Sequence, residues 1–437
     1  MLIPVDIDNL QNANLFLRAL WAEFRSQCGK CAWQYTPRKD WQKNTIFIGF
    51  ADINRPEGTV EISVTYAQRG TIRSISFDQS KGQPVDPKSE LGGLIQQSVK
   101  SAIEKMGKPN RQSCSVKVEG LFVPPRYYVG DSFSLEPISK RRFKLTMAVH
   151  AFDVTDAESE SVRKMSQVLN VLSVESNSAF LPLIAGQVED DEPLAQPFDK
   201  GEIFAEATDW MDVCPVRDGR ILISCQGKKL IDMVAGGGPL SDDVGTFLRA
   251  CNHFHTARKY AAQILDLVEL GEAEQVGENK FVMPMSIRNR RLEAARQMGD
   301  AHAEITGVLY MSAMEVAAKI GQPKAEFCKE CKQPKYRIAR RVKDLMKICG
   351  GEHLAGVAEE YYGQRSQYLH EGTMLSSSNY TGTSIPQLDP SSPTGCLMQT
   401  ALPDPSLRDY VGFCLRKILK NLVACVGGSG CQHSSFA

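Results

Sequence analysis

No apolar run in the chain reaches the roughly 20 residues that span a bilayer, so the sequence offers no transmembrane helix. Its opening, Met1-Leu-Ile-Pro-Val-Asp-Ile-Asp8, lacks a basic stretch followed by an apolar one. No secretory signal is read there, and the expected compartment is the cytoplasm. Charge of one sign is not in excess either: 51 Lys and Arg face 51 Asp and Glu. A globally basic nucleic-acid binder is excluded, and any footprint for a polyanion must be local. No internal repeat is found. The triplet Gly236-Gly-Gly238 has no Gly-Lys-Ser/Thr after it, so a turn before a helix is the better reading than a phosphate cradle. The 13 cysteines are an odd number without an export signal, which favours reduced thiols or a metal site over a disulfide framework.

With 437 residues, two or three domains are expected, in an α+β arrangement. Residues 1–185 read as a mixed α/β domain with antiparallel strands and a sensing or regulatory role. Helical spacing covers Asn9–Ser26, with Leu10, Phe16, Leu17, Leu20 and Phe24 near one face, and recurs at Ser89–Lys105 and Asp156–Leu172. Alternating, β-rich runs occupy Thr45–Phe50, Thr59–Tyr66, Thr71–Phe77, Ser113–Val123, Tyr127–Leu135 and Arg142–Phe152. Residues 186–239 form an acidic linker, with Glu189-Asp-Asp-Glu192, and a small β-like unit at Arg220–Cys225. From Leu240 to Val426 the pattern is helical. It starts at Ser241-Asp-Asp243, a capping hydroxyl followed by early carboxylates. One apolar stripe runs through Val244, Phe247, Leu248, Cys251, Phe254, Ala261, Ile264, Leu265 and Val268. Further helical patterns cover Arg288–Ile320, Tyr336–Ile348, Leu354–Leu369 and Leu407–Val426, and residues 427–437 read as a disordered tail.

Four features carry possible chemistry. Cys28/Cys31 and Cys328/Cys331 each offer half of a tetrahedral zinc site, and Cys349 with His353 would complete the second. The competing reading is ordinary buried cysteine. His253 and His255 have no partner at metal-ligand helical spacing, so satisfied helix histidines are expected. Between Lys324 and Lys347 nine basic residues face three acidic ones, net +6, and Lys335, Arg337, Arg340 and Arg341 are the candidates for tracking an RNA backbone. A solvated helix face is the plain alternative. Finally, Leu354, Val357, Ala358, Tyr361, Tyr368 and Leu369 share one helical face, and Arg365 falls near its middle. A guanidinium there is costly unless paired. It either meets a carboxylate, with Glu315 one candidate, or lines a cleft or interface and awaits an anion.

The segment Tyr361-Tyr-Gly-Gln-Arg-Ser-Gln-Tyr-Leu-His-Glu-Gly372 has an arginine followed by a polar residue and, four residues further on, a histidine. In this it resembles the Arg-x(4–6)-His signature of the HEPN superfamily, and within it the ApeA-like HEPN domains. Tyr310-Met-Ser-Ala-Met-Glu-Val316 is similar to an upstream aromatic helix segment of that family, and Tyr336-Arg-Ile-Ala-Arg-Arg-Val342 to its short basic helix. These segments, the terminal helix and their order span roughly Leu240–Val426. The resemblance implies a helical bundle that forms a homodimer around a shared cleft. It implies a metal-independent endoribonuclease, acting as a toxin or an abortive-infection effector against phage, with a phage-derived trigger or inhibitory partner. Some family members are catalytically silent binding modules, which is the alternative function.

Under that resemblance RNA is cut by its own 2′-hydroxyl and catalysis requires no cofactor; structural zinc is a separate candidate offered by the cysteine spacing. His370 exchanges a proton, Arg365 binds the phosphate and the charge that develops on it, and Ser366 orients one of them. Glu315 and Tyr362 support. One geometric problem stands out. Five residues of regular helix leave the Arg365 and His370 side chains about 140° apart. The helix must therefore distort or end near His370, with Gly372 as terminator, or the two residues must act from different subunits.

Overall fold

The computed structural model describes residues 1–29, 32–40, 44–52, 58–68, 70–79, 82–120, 124–139, 141–183, 204–205, 216–217, 220–238, 240–265, 274–277, 280–282, 305–322, 338–371, 388 and 405–426. In chain order the elements begin β1 (Leu2–Ile7), α1 (Leu10–Cys28), β2 (Ala32–Asp40), β3 (Thr45–Asp52), β4 (Thr59–Thr65), β5 (Ile72–Gln79), β6 (Gln83–Pro84) and α2 (Glu90–Lys105). Next come β7 (Asn110–Gly120), β8 (Tyr128–Val129), β9 (Phe133–Pro137), β10 (Arg142–Ala151), α3 (Val154–Ser176) and β11 (Phe180–Pro182). The short strands β12 (Phe204–Ala205), β13 (Val216–Arg217), β14 (Arg220–Ile221) and β15 (Ile223–Ser224) lead to α4 (Cys225–Gly236) and α5 (Asp242–Leu265). The hairpin β16 (Glu274–Gly277) and β17 (Lys280–Val282) precedes α6, described over residues 305–317, and then α7 (Ile338–Glu371) and α8 (Pro405–Val426). The chain is thus mixed, with antiparallel sheets toward the N-terminus and helices toward the C-terminus.

Contacts divide it into two compact units. The first is Met1–Cys114 with Ala148–Val162, and the second is Ser115–Met147 with Arg163–Ala437. This division cuts through residues 1–185 instead of following the linker expected at 186–239, most of which lies outside the described residues.

In the first unit the strands pair in the order β1-β5-β4-β3-β2, with β6 on β5. β4 alternates strictly, so Val60, Ile62 and Val64 point to one side, the pattern that a sheet covered on one face requires. Phe16, Leu20 and Phe24 of α1 and Leu91, Ile95 and Val99 of α2 recur at helical spacing, and they close a single core with those strands. Asn9 caps α1 by accepting from the Asn12 N–H at 2.8 Å, and Ser89 caps α2 through the Gly92 N–H at 3.0 Å. Leu10, expected on the buried face, is exposed, because it is the first residue of α1 and precedes the part that meets the sheet.

The second sheet runs β11-β7-β10-β9-β8. The helix α4 lies within residues 186–239, which were read as an acidic linker and a small β-like unit, and Gly237 caps its end in the left-handed region at φ 75°. Gly236 therefore closes α4, and Gly237 and Gly238 turn the chain toward the next helix. Val244, Phe247, Leu248, Cys251 and Phe254 of α5 are buried as their stripe predicts, while the side chains of residues 262–268 lie outside the described residues. α7 is two arms joined at Gly350 and Gly351, whose backbones leave the helical region (φ −147° and +78°). This is the break expected between Ile348 and Leu354. Among the described residues, no helix is long and apolar enough to cross a membrane.

Candidate active site

α6 delivers Glu315. It buries Tyr310, Met311, Ala313, Met314 and Ala317, which leaves Glu315 at the edge of the packed face. The second arm of α7 buries Leu354, Ala355 and Ala358, and the same side continues through half-buried Tyr361 and Tyr362 to Arg365. Arg365 Nη1 donates to Glu315 Oε1 at 2.9 Å and Nη2 to Oε2 at 3.0 Å, with side-chain exposures of 17% and 16%. This two-point contact satisfies a guanidinium on an apolar stripe, as the cost of burying it unpaired demands. The Arg365 guanidinium also lies 5.9 Å from the centre of the Tyr362 ring. Its Nε is buried and has no hydrogen-bond partner among the described residues.

Partial burial raises the Tyr362 phenol pKa, and the Glu315 charge and a hydrogen bond to Glu315 act in the same direction, against Arg365. His253 of α5 feels the same carboxylate. Partial burial lowers its pKa while the Glu315 charge opposes that shift. The contacts therefore join Glu315, Arg365 and Tyr362, with His253 within range of the Glu315 charge.

His370 is elsewhere on the surface of its helix. It lies in the last turn of α7 and is exposed. The arm shows no non-helical backbone after Gly351, so no distortion turns His370 toward Arg365. The helix does stop at Glu371, one residue past His370, and Gly372 lies outside the described residues. Ser366 is half-buried beside Arg365 in the chain. Leu369, expected on the apolar face, is 49% exposed, since the buried line fades before the helix ends.

The basic stretch is partly neutralised. Arg340 pairs with Asp344 at 3.7 Å, Lys343 with Glu359 at 2.6 Å, and Lys347 with Glu352. Arg341 has no hydrogen bond or ion pair to a described residue, and it lines a cavity of about 570 Å³ with Ala317, Ile320, Leu345 and Ile418. Lys335 and Arg337 lie outside the described residues, as do Cys31, Cys328 and Cys331. Cys349 and His353, the candidates for completing a zinc site, face α8. Cys349 donates to the Cys414 carbonyl at 3.9 Å, and His353 Nε2 meets the Tyr410 hydroxyl at 3.2 Å. Among the described residues no group of three or more His, Cys, Asp or Glu side chains is arranged to hold a metal ion.

His255 is a satisfied core histidine. Its Nε2 accepts the Phe180 N–H at 3.0 Å, so Nδ1 carries the proton and donates to Asn170 Oδ1 at 2.8 Å. Burial, with Lys259 next in effect, pushes its pKa down to about 3. The sequence reading missed the buried polar network around it, chiefly Arg258, Asn177, Asp409 and Arg416. Arg416 carried a faint signal as an arginine within the apolar run of α8. That helix buries residues on nearly every side, however, so no single stripe marks the arginine as out of place.

No protein-family model, curated protein or solved structure matches the chain, and the resemblance stated above rests on the quoted segments alone.

Proposed function

We propose that the chain is a HEPN-type endoribonuclease that needs no metal and cuts RNA through attack of the 2′-hydroxyl on the adjacent phosphate. The observation that carries this reading is the setting of Arg365. It is half-buried, held in orientation by Glu315 and Tyr362, and placed five residues before an exposed histidine at a helix end. Glu315 engages two of the five guanidinium N–H groups, which leaves the second N–H of Nη1 and of Nη2 for a phosphate. His370 exchanges the proton that the hydroxyl loses or the leaving oxygen gains. Arg365 offsets the charge that grows on the phosphate, and Ser366 orients the group beside it. The products carry a cyclic phosphate and a free 5′-hydroxyl.

One copy of the chain is not enough. Arg365 and His370 diverge by about 140° on regular helix, so the working site pairs Arg365 of one copy with His370 of a second in a homodimer. Arg340 and Arg341 add cationic surface for the RNA backbone. The mixed α/β portion senses or regulates, and the biological role is that of a toxin or defence effector in the cytoplasm, released by a trigger or held by an inhibitor.

The Glu315 ion pair supports a second reading. A guanidinium already satisfied by a carboxylate is also what a catalytically silent HEPN module would keep for stability. The deciding experiment incubates purified protein with RNA in excess chelator, beside His370→Ala and Arg365→Lys. Catalysis predicts a loss of about 100-fold or more in both variants, with the fold intact by circular dichroism. RNA that stays whole under wild-type protein, together with no growth defect on expression, supports the silent module. Cleavage unchanged in His370→Ala sinks the mechanism.

A further inference from the structure

Apart from that site, the second unit holds a cavity of about 570 Å³ between the end of α6, the first arm of α7 and α8. Its size falls within the roughly 300–1,000 Å³ of small-molecule sites. The body of the cavity is aliphatic. Ala317 closes α6, Ala318 and Ile320 belong to the turn after it, Leu345 comes from α7 and Ile418 from α8. Ala317, Ala318 and Ile418 are buried, and Ile320 and Leu345 are half-buried. The wall that follows α6 is fixed from two sides. The Ile320 N–H donates to the Ala317 carbonyl at 3.0 Å. The N–H of Gly321, whose φ is +67°, donates to Asp243 Oδ1 of α5 at 3.1 Å. A site held this way before a ligand arrives gives up little freedom on binding.

Charge enters the lining from α7 alone. Arg341, Asp344 and Lys347 all lie on its first arm, and Gln322 completes the polar groups. Asp344 meets Arg340 at 3.7 Å and Lys347 meets Glu352, so these two charges have partners of opposite sign. Arg341 is half-buried and has neither a hydrogen bond nor an ion pair to a described residue. A half-buried guanidinium against aliphatic walls is costly unless an anion meets it. Its neighbour Arg340 is 73% exposed and lines no part of the cavity, so the two arginines have different surroundings. Among the described residues the lining has no aromatic ring on which a nucleobase could stack.

We propose that this cavity binds a monoanion with an aliphatic body, a medium-chain carboxylate of the fatty-acid kind. The carboxylate sits on Arg341, whose planar fork offers it two parallel N–H donors. The chain lies among Ala317, Ile320, Leu345 and Ile418, and each methylene taken from water adds about four-fold in affinity. Ala317 stands two residues past Glu315 on α6, so a bound chain braces the helix whose carboxylate orients Arg365. The binding itself stands whether or not the chain cuts RNA.

The test is isothermal titration calorimetry of the full chain with hexanoate and octanoate, each below its micelle concentration, beside acetate, octanol and adenosine monophosphate. The expected result is one equivalent of octanoate, bound about ten-fold or more tighter than octanol or hexanoate, with no binding of acetate. Arg341→Met keeps an unbranched apolar stem and removes the charge. It should weaken octanoate about ten-fold or more and leave octanol within about two-fold. Leu345→Trp fills the cavity from a half-buried position and should abolish binding of both. Should either variant misfold by circular dichroism, the wild-type comparison of octanoate with octanol and acetate still decides. Octanoate bound equally by Arg341→Met overturns the proposal, as does uptake of several equivalents without a step in chain length. Adenosine monophosphate binding that both variants abolish would give the cavity to a nucleotide instead.

Discussion

The core of the first unit is apolar almost throughout, whereas the core of the second is threaded with charge. In the first, Phe16, Leu20, Phe24, Ile62, Ile75 and Phe77 meet one another, and the ion pairs Arg18–Asp156, Arg25–Asp153 and Lys105–Glu23 stay partly in water. In the second, Arg416 is 1% exposed and donates to the Val174 carbonyl at 2.9 Å and to Asn177 Oδ1 at 3.2 Å. Asn177, in the left-handed region at φ 49°, donates to Asp409 at 3.1 Å, and its carbonyl accepts from Arg258 at 2.8 Å. Glu175 accepts the Ser224 N–H at 2.5 Å, and burial raises its pKa above the usual carboxylate range. Apolar contact is non-directional and tolerates change, while a buried polar network fails when any partner is removed. The second unit therefore ties the ends of α3, α5 and α8 to one geometry, and it is also the unit that carries Arg365.

The sharpest way to break that contrast is Arg416→Ala. It should cost about 3–5 kcal/mol in urea unfolding, since Asn177 Oδ1 and the Val174 carbonyl lose their buried donor. A loss near that of an ordinary surface change would mean that the network is not structural. Acid is the next lever. The His255 pKa is near 3 in the folded chain against about 6.5 unfolded, so the unfolded state takes up the proton first. The stabilising contribution is present above pH 6.5 and is lost as pH falls, by about 1.5 kcal/mol between pH 6.5 and 5. Partial burial lowers the pKa of His253 and adds to the loss in the same direction. His255→Gln should flatten the slope in unfolding measured across that window, and an unchanged slope would remove His255 as its cause. The smallest effect belongs to the apolar core of the first unit, where Ile75→Val should cost about 1 kcal/mol, because one methylene is lost and its neighbours can close in. A cost matching Arg416→Ala would erase the difference between the two cores.

Much of the first unit was legible because its signals are local. The alternation of Thr59–Thr65 and the helical spacing of Leu91, Ile95 and Val99 each name a buried face without reference to distant residues. β1 was missed because what makes Leu2–Ile7 a strand is pairing with β5, 70 residues on, as in Leu2 opposite Ser76. α4 was missed because the residues before it read as β and the glycines after it read as a loop, so its short apolar face (Leu230, Ile231 and Val234) went unnoticed. In the candidate site, the position of Arg365 on an apolar face could be read, and Glu315 could be named as one partner. The contact itself spans 50 residues.

By itself, then, the sequence determined local periodicity, the interruption of helical spacing between Ile348 and Leu354, and the cost that any fold must meet at Arg365. Only the tertiary structure decided how that cost is met, which histidine is buried neutral and which is exposed, and that Arg416 lies in a polar core. Periodicity records the face a side chain occupies. What that face meets depends on contacts between residues up to 242 positions apart, as from Arg416 to Val174, and no local preference encodes those.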